Sequence, residues 1–343
     1  MPTIDPARLE TKATRIFTAM GAPDPDAAWI AALLVRANLR GHDSHGVIRI
    51  PQYWESVKKK EVDPRSPVTV TAETPALVRL DGGGGFGQVV GRRAMEMAIA
   101  KAKAGGLSAA STSRTSHVGR LADYAEMAAN AGLVGMLWAN CVHGLNVAPW
   151  GGAARRLGTN PHAVGIPGAG GPAMVLDFAT SVVAEGKLRV KRNRKQPAPP
   201  GWFVDAQGRP QTDPEIFYGT PPGALLTSGE HKGYGLSLAV EILGGILSGT
   251  GPAGPPPGVF ANGTLMICLD VERFLPLPEF HRQVASLFGW VKSAPLAQGA
   301  TEILIPGEPE ARLEAQRRRE GIPIEDQTWS QIETTAAELG TGG

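Results

Sequence analysis

A short segment of the chain, RGHDSHGVIRIPQY at residues 40–53, is dense in side chains that can do chemistry. His45, Arg49 and Tyr53 are spaced four residues apart, which predicts that they share one face of a helix. An arginine binds a carboxylate through parallel hydrogen bonds, and a histidine beside it can give or take a proton at the neighbouring oxygen. The segment therefore suits a small 2-oxo or 2-hydroxy acid.

Two other interpretations of this segment stay open at this point. Asp43 or Ser44 is a suitable N-cap for an ordinary surface helix. His42, Asp43 and His45 offer metal-ligating atoms, but histidines three residues apart need a third firm ligand that the spacing does not supply. No metal is therefore expected.

Several other segments carry polar side chains that suit an anionic ligand. His117 precedes Gly119 and Arg120 in a polar loop that enters a helix, where backbone amides and a guanidinium favour a phosphate or carboxylate, although Ser116 can also serve as a simple helix cap. Further candidates lie in an irregular tract, after an apolar strand and at the start of an apolar helix: Asn140, Thr159, Asn160, Asp177, Thr180, Ser181, Lys187, His231 and Lys232. Each of these can equally form turns or caps, so none is decisive alone.

The stretch DGGGGFGQ contains the pattern GxGxxG at Gly82, Gly84 and Gly87, between a predicted strand and a predicted helix. This is the formal context of a dinucleotide-binding fingerprint. The next predicted strand, GLSAAST, carries no acidic residue at its end, where a ribose-binding acid belongs. We therefore interpret the stretch as a glycine-rich turn and not as a Rossmann site.

Hydrophobic periodicity predicts a helical beginning followed by alternating strands and helices. Two helices open the chain, with Asp5 and Asp24 as predicted N-caps, and a third begins in the 40–53 segment. Strands are predicted at VTVTAE, ALVRLD, GLSAAST, GLVGMLWAN, AVGIP, AMVLDFA, TLMICLDV and TEILIP. The Pro- and Gly-rich tract at 249–260 predicts a long surface loop.

These elements predict a mixed α/β (α+β) class, with a helical N-terminal segment feeding a sheet-centred domain. We expect three parts: the helical segment at 1–66, an α/β body at 67–300 that binds cofactor and substrate, and a C-terminal strand and helices at 301–343 that pack back on the body.

Composition excludes several classes of function. The 343 residues are 42% hydrophobic and 19% charged, and the net charge is +2. No long basic run is interleaved with aromatic residues, so no nucleic-acid partner is expected. No apolar stretch is long enough to span a bilayer, and the N-terminus lacks the pattern of a signal peptide. Two cysteines without a metal or disulfide spacing suit a reducing cytoplasm, the expected location.

Taken in order, several segments resemble those of the malate/L-lactate dehydrogenase-like family of NAD(P)-dependent oxidoreductases, and most closely its hydroxycarboxylate dehydrogenase branch. The matching segments are GHDSHGVIRIPQY, SHVGRLADYAEMA, LGTNP, VLDFATSVVAEGK, PPGWFVD, EHKGYGLSLAVEILGGILSG and PGEPE. The resemblance covers nearly the whole chain. It implies a non-Rossmann, sheet-based domain for a nicotinamide dinucleotide, NAD or NADP, and a homodimer or higher homo-oligomer.

The resemblance also implies roles for individual residues. His45 would be the acid/base, Arg49 would hold the substrate carboxylate, and His117 would be a second polar partner of the substrate oxygen, with Ser44 and Tyr53 beside them. Together with the candidates above, the predicted cofactor contacts are His117, Gly119, Arg120, Asn140, Thr159, Asn160, Pro161, Asp177, Ala179, Thr180, Ser181, Lys187, His231, Lys232, Gly233, Gly307 and Glu308. Glu230 stands where the family more often has glycine.

The expected reaction is hydride transfer between a nicotinamide cofactor and a small 2-oxo acid or its L-2-hydroxy acid, of malate, lactate or phenyllactate type. A reductase of a cyclic imino acid is a close alternative, because the same carboxylate clamp serves both. Two readings of other classes are a metal-dependent hydrolase built on His42 and His45, and a nucleotide- or anion-binding protein without catalysis. The choice between NADH and NADPH stays open, because no ribose acid or 2′-phosphate arginine is placed by spacing.

Overall fold

The computed structural model describes residues 1–142, 144–254 and 261–342. The predicted loop at 249–260 therefore lies partly outside the described residues. The helices are α1 (Pro6–Ala19), α2 (Asp24–Leu39), α3 (Ile50–Lys58), α4 (Gly87–Gly105), α5 (Ala122–Asn130), α6 (Glu185–Asn193), α7 (Pro214–Tyr218), α8 (His231–Val240), α9 (Leu277–Lys292), α10 (Glu308–Glu320) and α11 (Asp326–Glu338). A π-helical turn, Glu241–Ile246, continues α8. Within the described part of the chain, no helix has the length and apolar character needed to cross a membrane.

The strands are β1 (Thr3–Ile4), β2 (Thr69–Glu73), β3 (Leu77–Asp81), β4 (Leu107–Thr115), β5 (Leu133–Ala139), β6 (Pro161–Gly168), β7 (Gly171–Ala179), β8 (Phe203–Val204), β9 (Pro210–Gln211), β10 (Ala224–Leu225), β11 (Asn262–Asp270) and β12 (Ile322–Pro323). Seven of them form the central sheet in the order β2-β3-β4-β11-β5-β6-β7. Only β3 and β4 pair in parallel within it, and the other neighbours are antiparallel. The mixed α/β class with a sheet-centred, non-Rossmann body is confirmed, because a Rossmann sheet is mostly parallel.

The N-terminal helices form a core of their own with the C-terminal end of the chain. Ile16 and Phe17 of α1 are fully buried in one cluster with residues of α2 and with Ile332 of α11. Asp5 caps α1 as predicted, since its carboxylate accepts from the amide of Arg8. Asp24 is not a cap, because α2 begins one residue earlier than expected and Pro23 takes that position. The division at residues 66 and 300 stays a prediction.

One predicted strand is wrong. Residues 301–306 form an irregular segment, in which the Pro306 carbonyl accepts a hydrogen bond from the amide of Val175 in β7 at 3.0 Å. The apolar residues Ile303 and Ile305 gave the strand pattern, but Ile305 is buried by packing and not by a sheet ladder. This contact places the start of α10 beside β7.

Candidate active site

The segment that carries His45, Arg49 and Tyr53 is not one helix, which corrects the predicted shared helical face. Residues Asp43–His45 and Val47–Arg49 form two short 3₁₀ turns, and α3 starts only at Ile50. Gly46 between the turns is extended, with φ −88° and ψ −154°, so neither Asp43 nor Ser44 caps a continuous helix. The break lets His45 and Tyr53 approach one target from different elements.

This broken segment is held by a buried asparagine of α2. The carboxamide of Asn38 accepts from the amide of Val47 at 2.8 Å and donates to Asp43 at 2.7 Å. Arg317 of α10 binds Asp43 from the other side at 2.8 Å. Asn38 is only 3% exposed, so its bond to Val47 forms away from competing water, whereas Asp43 and its bond to Arg317 are exposed to solvent. Together these bonds hold the backbone on both sides of His45.

The second histidine arrives from the central sheet. His117 lies in the loop between β4 and α5, and its ring stacks on the ring of His45 with centroids 5.6 Å apart. The Tyr53 hydroxyl lies 2.7 Å from Nδ1 of His117. The structure thus brings together three of the predicted site residues. Ser116 does not cap α5 as considered above, because its hydroxyl accepts from the amide of Gly87 in α4.

Arg49 lies in the same group, half-buried. Its Nε donates to the Ser44 carbonyl at 2.7 Å, and its Nη1 donates to Gln52 at 2.6 Å. Two of its nitrogen atoms are therefore engaged within the same segment, which orients the guanidinium plane. A guanidinium fixed in this way is suited to bind a carboxylate.

Burial and the charge of Arg49 keep both histidines neutral. Burial and then Arg49 lower the pKa of His45 from 6.5 to about 3, and the same two causes lower the pKa of His117 well below 6.5. Burial raises the pKa of Tyr53 to about 12, so its phenol stays protonated. At neutral pH the site therefore holds two neutral imidazoles beside one guanidinium.

A cavity of about 350 Å³ joins several predicted cofactor residues, and its walls include Arg120, Asp177, Gly307, Glu308 and His42. Asp177 accepts from the amide of Ala122 at 2.8 Å and thus caps α5. Burial raises the pKa of Asp177 to about 6, while that N–H and Arg120 oppose the shift.

A second group of predicted cofactor residues meets at the end of β7. Thr180 donates from its amide to the Thr159 carbonyl at 2.9 Å, and its own carbonyl accepts from Ser228 at 2.8 Å. A Cβ on Gly233 would lie 2.8 Å from that Thr180 carbonyl, so glycine allows the start of α8 to approach. Ser181 pairs with Thr227 beside them. Strand β7 thus connects this group with the cavity.

Lys187, in the first turn of α6, lies close enough to His42 to lower the pKa of that histidine. His231 and Lys232 begin α8 and are exposed to solvent. Pro161 and Ala179 are partners in the β6–β7 register. Gly119 has a positive φ of 81°, which turns the chain between His117 and α5.

Two predicted cofactor residues have a different position. Asn140 and Asn160 are fully buried, and both donate to the carboxylate of Glu241 in the π-helical turn, at 3.1 and 2.8 Å. Glu241 also accepts from the amide of Ala253. These bonds join the ends of β5 and β6 to the α8 region. The two asparagines are therefore bonded inside the protein and do not line an open surface of the site. Their contact with a cofactor stays a prediction.

The polar groups around the cavity fit part of a nicotinamide dinucleotide. Gly307 has φ +99°, and a Cβ there would lie 3.2 Å from the amide of Val175, so the backbone itself lines the wall. Arg120 is engaged by Asp123 at 2.7 Å, and the Asp177 and Glu308 carboxylates lie on the same wall, so this lining suits the hydroxyl and amide groups of a nucleotide better than a bare anion. Among the described residues, no group of three or more His, Cys, Asp or Glu side chains is placed to hold a metal ion.

Sequence reasoning missed three residues that shape the site: Asn38, Gln88 and Glu241. Glu241 had a signal, because it is the one charged residue in the apolar stretch LSLAVEILGGILSG, and a buried carboxylate needs partners. Gln88 follows the last glycine of the rejected GxGxxG pattern. Asn38 had no signal, since a single asparagine near a helix end is ordinary.

Comparison with known proteins agrees with this geometry. The family profile described as malate/L-lactate dehydrogenase matches residues 4–333. The chain belongs to this family. It is accordingly an oxidoreductase of the 2-hydroxyacid dehydrogenase class, and family membership implies a nicotinamide cofactor. The resemblance seen in the sequence is confirmed.

Individual relatives are similar over almost their whole length. Hydroxycarboxylate dehydrogenase B of Escherichia coli is 36% identical over 341 residues, which cover 98% of this chain and 94% of the relative. The structure of malate dehydrogenase from Pyrococcus horikoshii superposes with a TM-score of 0.90 at 35% identity, covering 100% of this chain and 97% of the other. The structure of Δ1-piperideine-2-carboxylate reductase from Pseudomonas syringae has a TM-score of 0.84 at 29% identity, covering 98% and 100%.

Proposed function

We propose that this member of the family interconverts a small 2-oxo acid and its L-2-hydroxy acid by hydride transfer with NAD(H) or NADP(H). One observation carries the proposal: Arg49 lies beside two stacked, neutral imidazoles, His45 and His117. A 2-oxo acid presents a carboxylate next to a carbonyl, and this group of side chains offers a cation next to proton carriers.

In this mechanism Arg49 binds the substrate carboxylate and thereby sets the position of the adjacent oxygen. His117 donates a hydrogen bond to that oxygen, and His45 gives the proton in reduction or takes it in oxidation. The low pKa of His45 favours the base form in the protein without ligand. A bound carboxylate offsets the charge of Arg49, which raises that pKa toward the range useful for an acid.

The nicotinamide group, when bound, supplies or accepts the hydride at the carbon that bears the substrate oxygen. We propose that the cavity beside Asp177 and Gly307 and the group around Thr180 and Gly233 hold this cofactor along β7, with Lys232 at the anionic end. The remaining contacts proposed for the cofactor are the residues named from the sequence. Stacked rings of His45 and His117 exclude water from one side of the reacting centre.

Reduction of a cyclic imino acid is a second candidate, because the solved structure of a piperideine carboxylate reductase is similar over the full chain. Such a substrate also carries a carboxylate, which Arg49 would bind in the same way. Here His45 would place its proton on the imine nitrogen instead of on an oxygen. The substrate panel below separates the two candidates.

The test follows the absorbance of reduced nicotinamide while the protein is mixed with NADH or NADPH and a panel of acids. The panel contains pyruvate, oxaloacetate, phenylpyruvate and Δ1-piperideine-2-carboxylate. We expect turnover with at least one oxo acid, and its collapse in His45→Ala and in Arg49→Ala. Cofactor binding without turnover of any acid would instead indicate a nucleotide-binding protein.

Matched controls keep this test specific. Arg92→Ala and Arg209→Ala remove arginines that pair with Glu96 and Asp205 and lie outside both the proposed site and α9. Both controls should retain wild-type kcat and KM. If they lose activity to the same degree as the site variants, the assignment of His45 and Arg49 fails.

We also propose that the protein forms a homodimer through apolar surfaces at α9 and the π-helical turn. Helix α9 buries none of its residues, and its Trp290 is 78% exposed. On the π-helical turn, Ile242 and Ile246 are 55% and 53% exposed. Exposed apolar side chains of this kind mark protein–protein contacts, and a second copy of the chain is the occupant that the family resemblance implies.

Sedimentation equilibrium tests this proposal. Trp290→Asp or Ile242→Asp should shift the protein to monomer, because each places a charge in an apolar contact. Val70→Asp is the control, as Val70 lies on β2 at the opposite edge of the sheet from β7. A wild-type monomer, or dimers unaffected by both substitutions, would contradict the proposed interface.

A further inference from the structure

A glutamine behind the site continues the hydrogen-bond chain of His117 into the core. Gln88 of α4 is fully buried, and its side-chain nitrogen lies 2.7 Å from the Tyr53 hydroxyl. That hydroxyl is in turn 2.7 Å from Nδ1 of His117. Tyr53 is only 4% exposed, so all three groups meet away from bulk water.

The protons available on these groups determine which group donates in each hydrogen bond from Gln88 to His117. The amide nitrogen of Gln88 can only donate, so the Tyr53 oxygen accepts from it. The hydrogen bonds of the described residues offer the single Tyr53 proton one acceptor, Nδ1 of His117, and Tyr53 therefore gives its proton there. Nδ1 of His117 must then be the acceptor. A neutral imidazole with an accepting Nδ1 carries its own proton on Nε2, at the opposite edge of the ring.

The orientation of the Gln88 amide follows from the cost of the alternative. In the structure its Oε1 is buried without a hydrogen-bond partner. Turning the amide around would leave an NH₂ group, with two donors, buried in that same place. A carbonyl is the less costly group to leave without a partner. The nitrogen therefore faces Tyr53.

The glycine-rich turn makes this approach possible. A Cβ on Gly87 would lie 2.5 Å from the carbonyl oxygens of both Ser116 and His117, so only glycine lets α4 touch the His117 loop. The amide of Gly87 also donates to the Ser116 hydroxyl at 3.0 Å. The stretch that imitates a dinucleotide fingerprint thus places Gln88 beneath the histidine.

We propose that Gln88 is a positioning residue that acts through Tyr53 to hold His117 as the Nε2–H tautomer. This rests on the proposed function, in which His117 donates a hydrogen bond to the substrate oxygen. The tautomer with the proton on Nδ1 would instead present a lone pair to that oxygen and repel it. Gln88 touches neither substrate nor cofactor in this role.

The test measures the tautomer of the His117 imidazole directly, in the protein without substrate. Long-range ¹H–¹⁵N correlation spectra of the ¹⁵N-labelled protein distinguish Nδ1–H from Nε2–H, and the His117→Asn variant assigns the signals. We expect Nε2–H in the wild type. Gln88→Leu and the smaller change Tyr53→Phe should each give a substantial Nδ1–H fraction, with kcat reduced about 10-fold or more and the KM of the cofactor nearly unchanged.

Ser108→Ala is the matched control. Ser108 donates to the Ala98 carbonyl of α4 at 2.6 Å and is fully buried, so its loss also removes a buried bond to α4, far from His117. It should lower the melting temperature and leave the tautomer unchanged. An Nδ1–H form in the wild type, or a tautomer that neither Gln88→Leu nor Tyr53→Phe alters, overturns the proposal. The tautomer is measured without turnover, so failure of this proposal can be distinguished from failure of the proposed reaction.

Discussion

The carboxamide of Asn38 occupies the space that a side chain on residue 46 would need. A Cβ built on Gly46 would lie 2.1 Å from the Asn38 oxygen, well inside the contact distance of any two atoms. Asn38 is one of the groups that fix the backbone around His45. The glycine after the histidine is therefore required by a buried side chain of another helix, although its φ of −88° is open to any residue.

Gly46→Ala should displace Asn38 and break its bonds to Val47 and Asp43. We expect a loss of about 1–3 kcal/mol in the free energy of unfolding, the usual cost of leaving buried polar groups without partners. Activity should fall further than stability implies, because His45 moves with the segment. Urea denaturation and kcat/KM measure the two effects. Gly105→Ala is the control, because a Cβ there would meet no atom within 4 Å beyond its own helix backbone and chain neighbours. Equal losses in both variants would refute the role of Asn38.

The stability of the protein should fall as pH decreases below 6.5. His45 has a pKa of about 3 in the folded protein but 6.5 in its unperturbed form, and the pKa of His117 is lowered for the same reason. Between these values the unfolded chain binds protons that the folded protein does not, so acid favours unfolding. The stabilisation is complete above pH 6.5 and is lost progressively toward pH 3.

Urea denaturation between pH 7.5 and pH 4.5 measures the slope of the free energy of unfolding against pH. This range brackets the ordinary histidine pKa. Replacing His45 and His117 together by Asn should flatten the slope, because the asparagines do not titrate. A double variant with an unchanged slope would show that other groups cause the acid sensitivity.

Binding of an unreactive 2-oxo acid analogue such as oxamate should be coupled to proton uptake. Its carboxylate offsets the charge of Arg49, one of the groups that lower the pKa of His45. The raised pKa increases the fraction of protonated His45, and the uptake should grow as pH falls from 7 toward 5. Calorimetry in two buffers of different ionisation enthalpy measures it. Uptake that persists in His45→Asn would assign the proton to another group.

Glu230→Gly should increase both stability and affinity for the dinucleotide. Glu230 has φ +59°, a conformation that favours glycine, and it directly precedes His231 and Lys232. Relief of the backbone strain at residue 230 should add about 1 kcal/mol to the free energy of unfolding. Removal of the Glu230 carboxylate should favour the binding of an anionic ligand at the start of α8. Lys60→Gly, at φ 59° in a distant turn, should add stability alone. Cofactor titration distinguishes the two variants.

Local patterns predicted much of this fold. A continuous apolar run identified β5, whose residues are alternately buried and half-buried in the sheet. The cap at Asp5 and most helices followed from short-range rules. The conformation of residues 301–306 was not predicted correctly, because an apolar segment can be buried beside a strand without pairing with it.

The candidate site was predicted in its residue types but not in its arrangement. The spacing of His45, Arg49 and Tyr53 suggested one helical face, whereas Gly46 divides the segment because Asn38 takes the adjacent space. Contact between Tyr53 and His117 joins residues 64 positions apart. Periodicity describes neighbours along the chain, so Gln88 beneath them had no local signal.

The bond between Arg317 and Asp43 has a consequence for biosynthesis. It joins residues 274 positions apart, and α10 must therefore be present before the segment around His45 is held from both sides. Chains fold progressively from the N-terminus during translation. The N-terminal helices leave the ribosome first, and the segment around His45 is held from both sides only after α10 has been made.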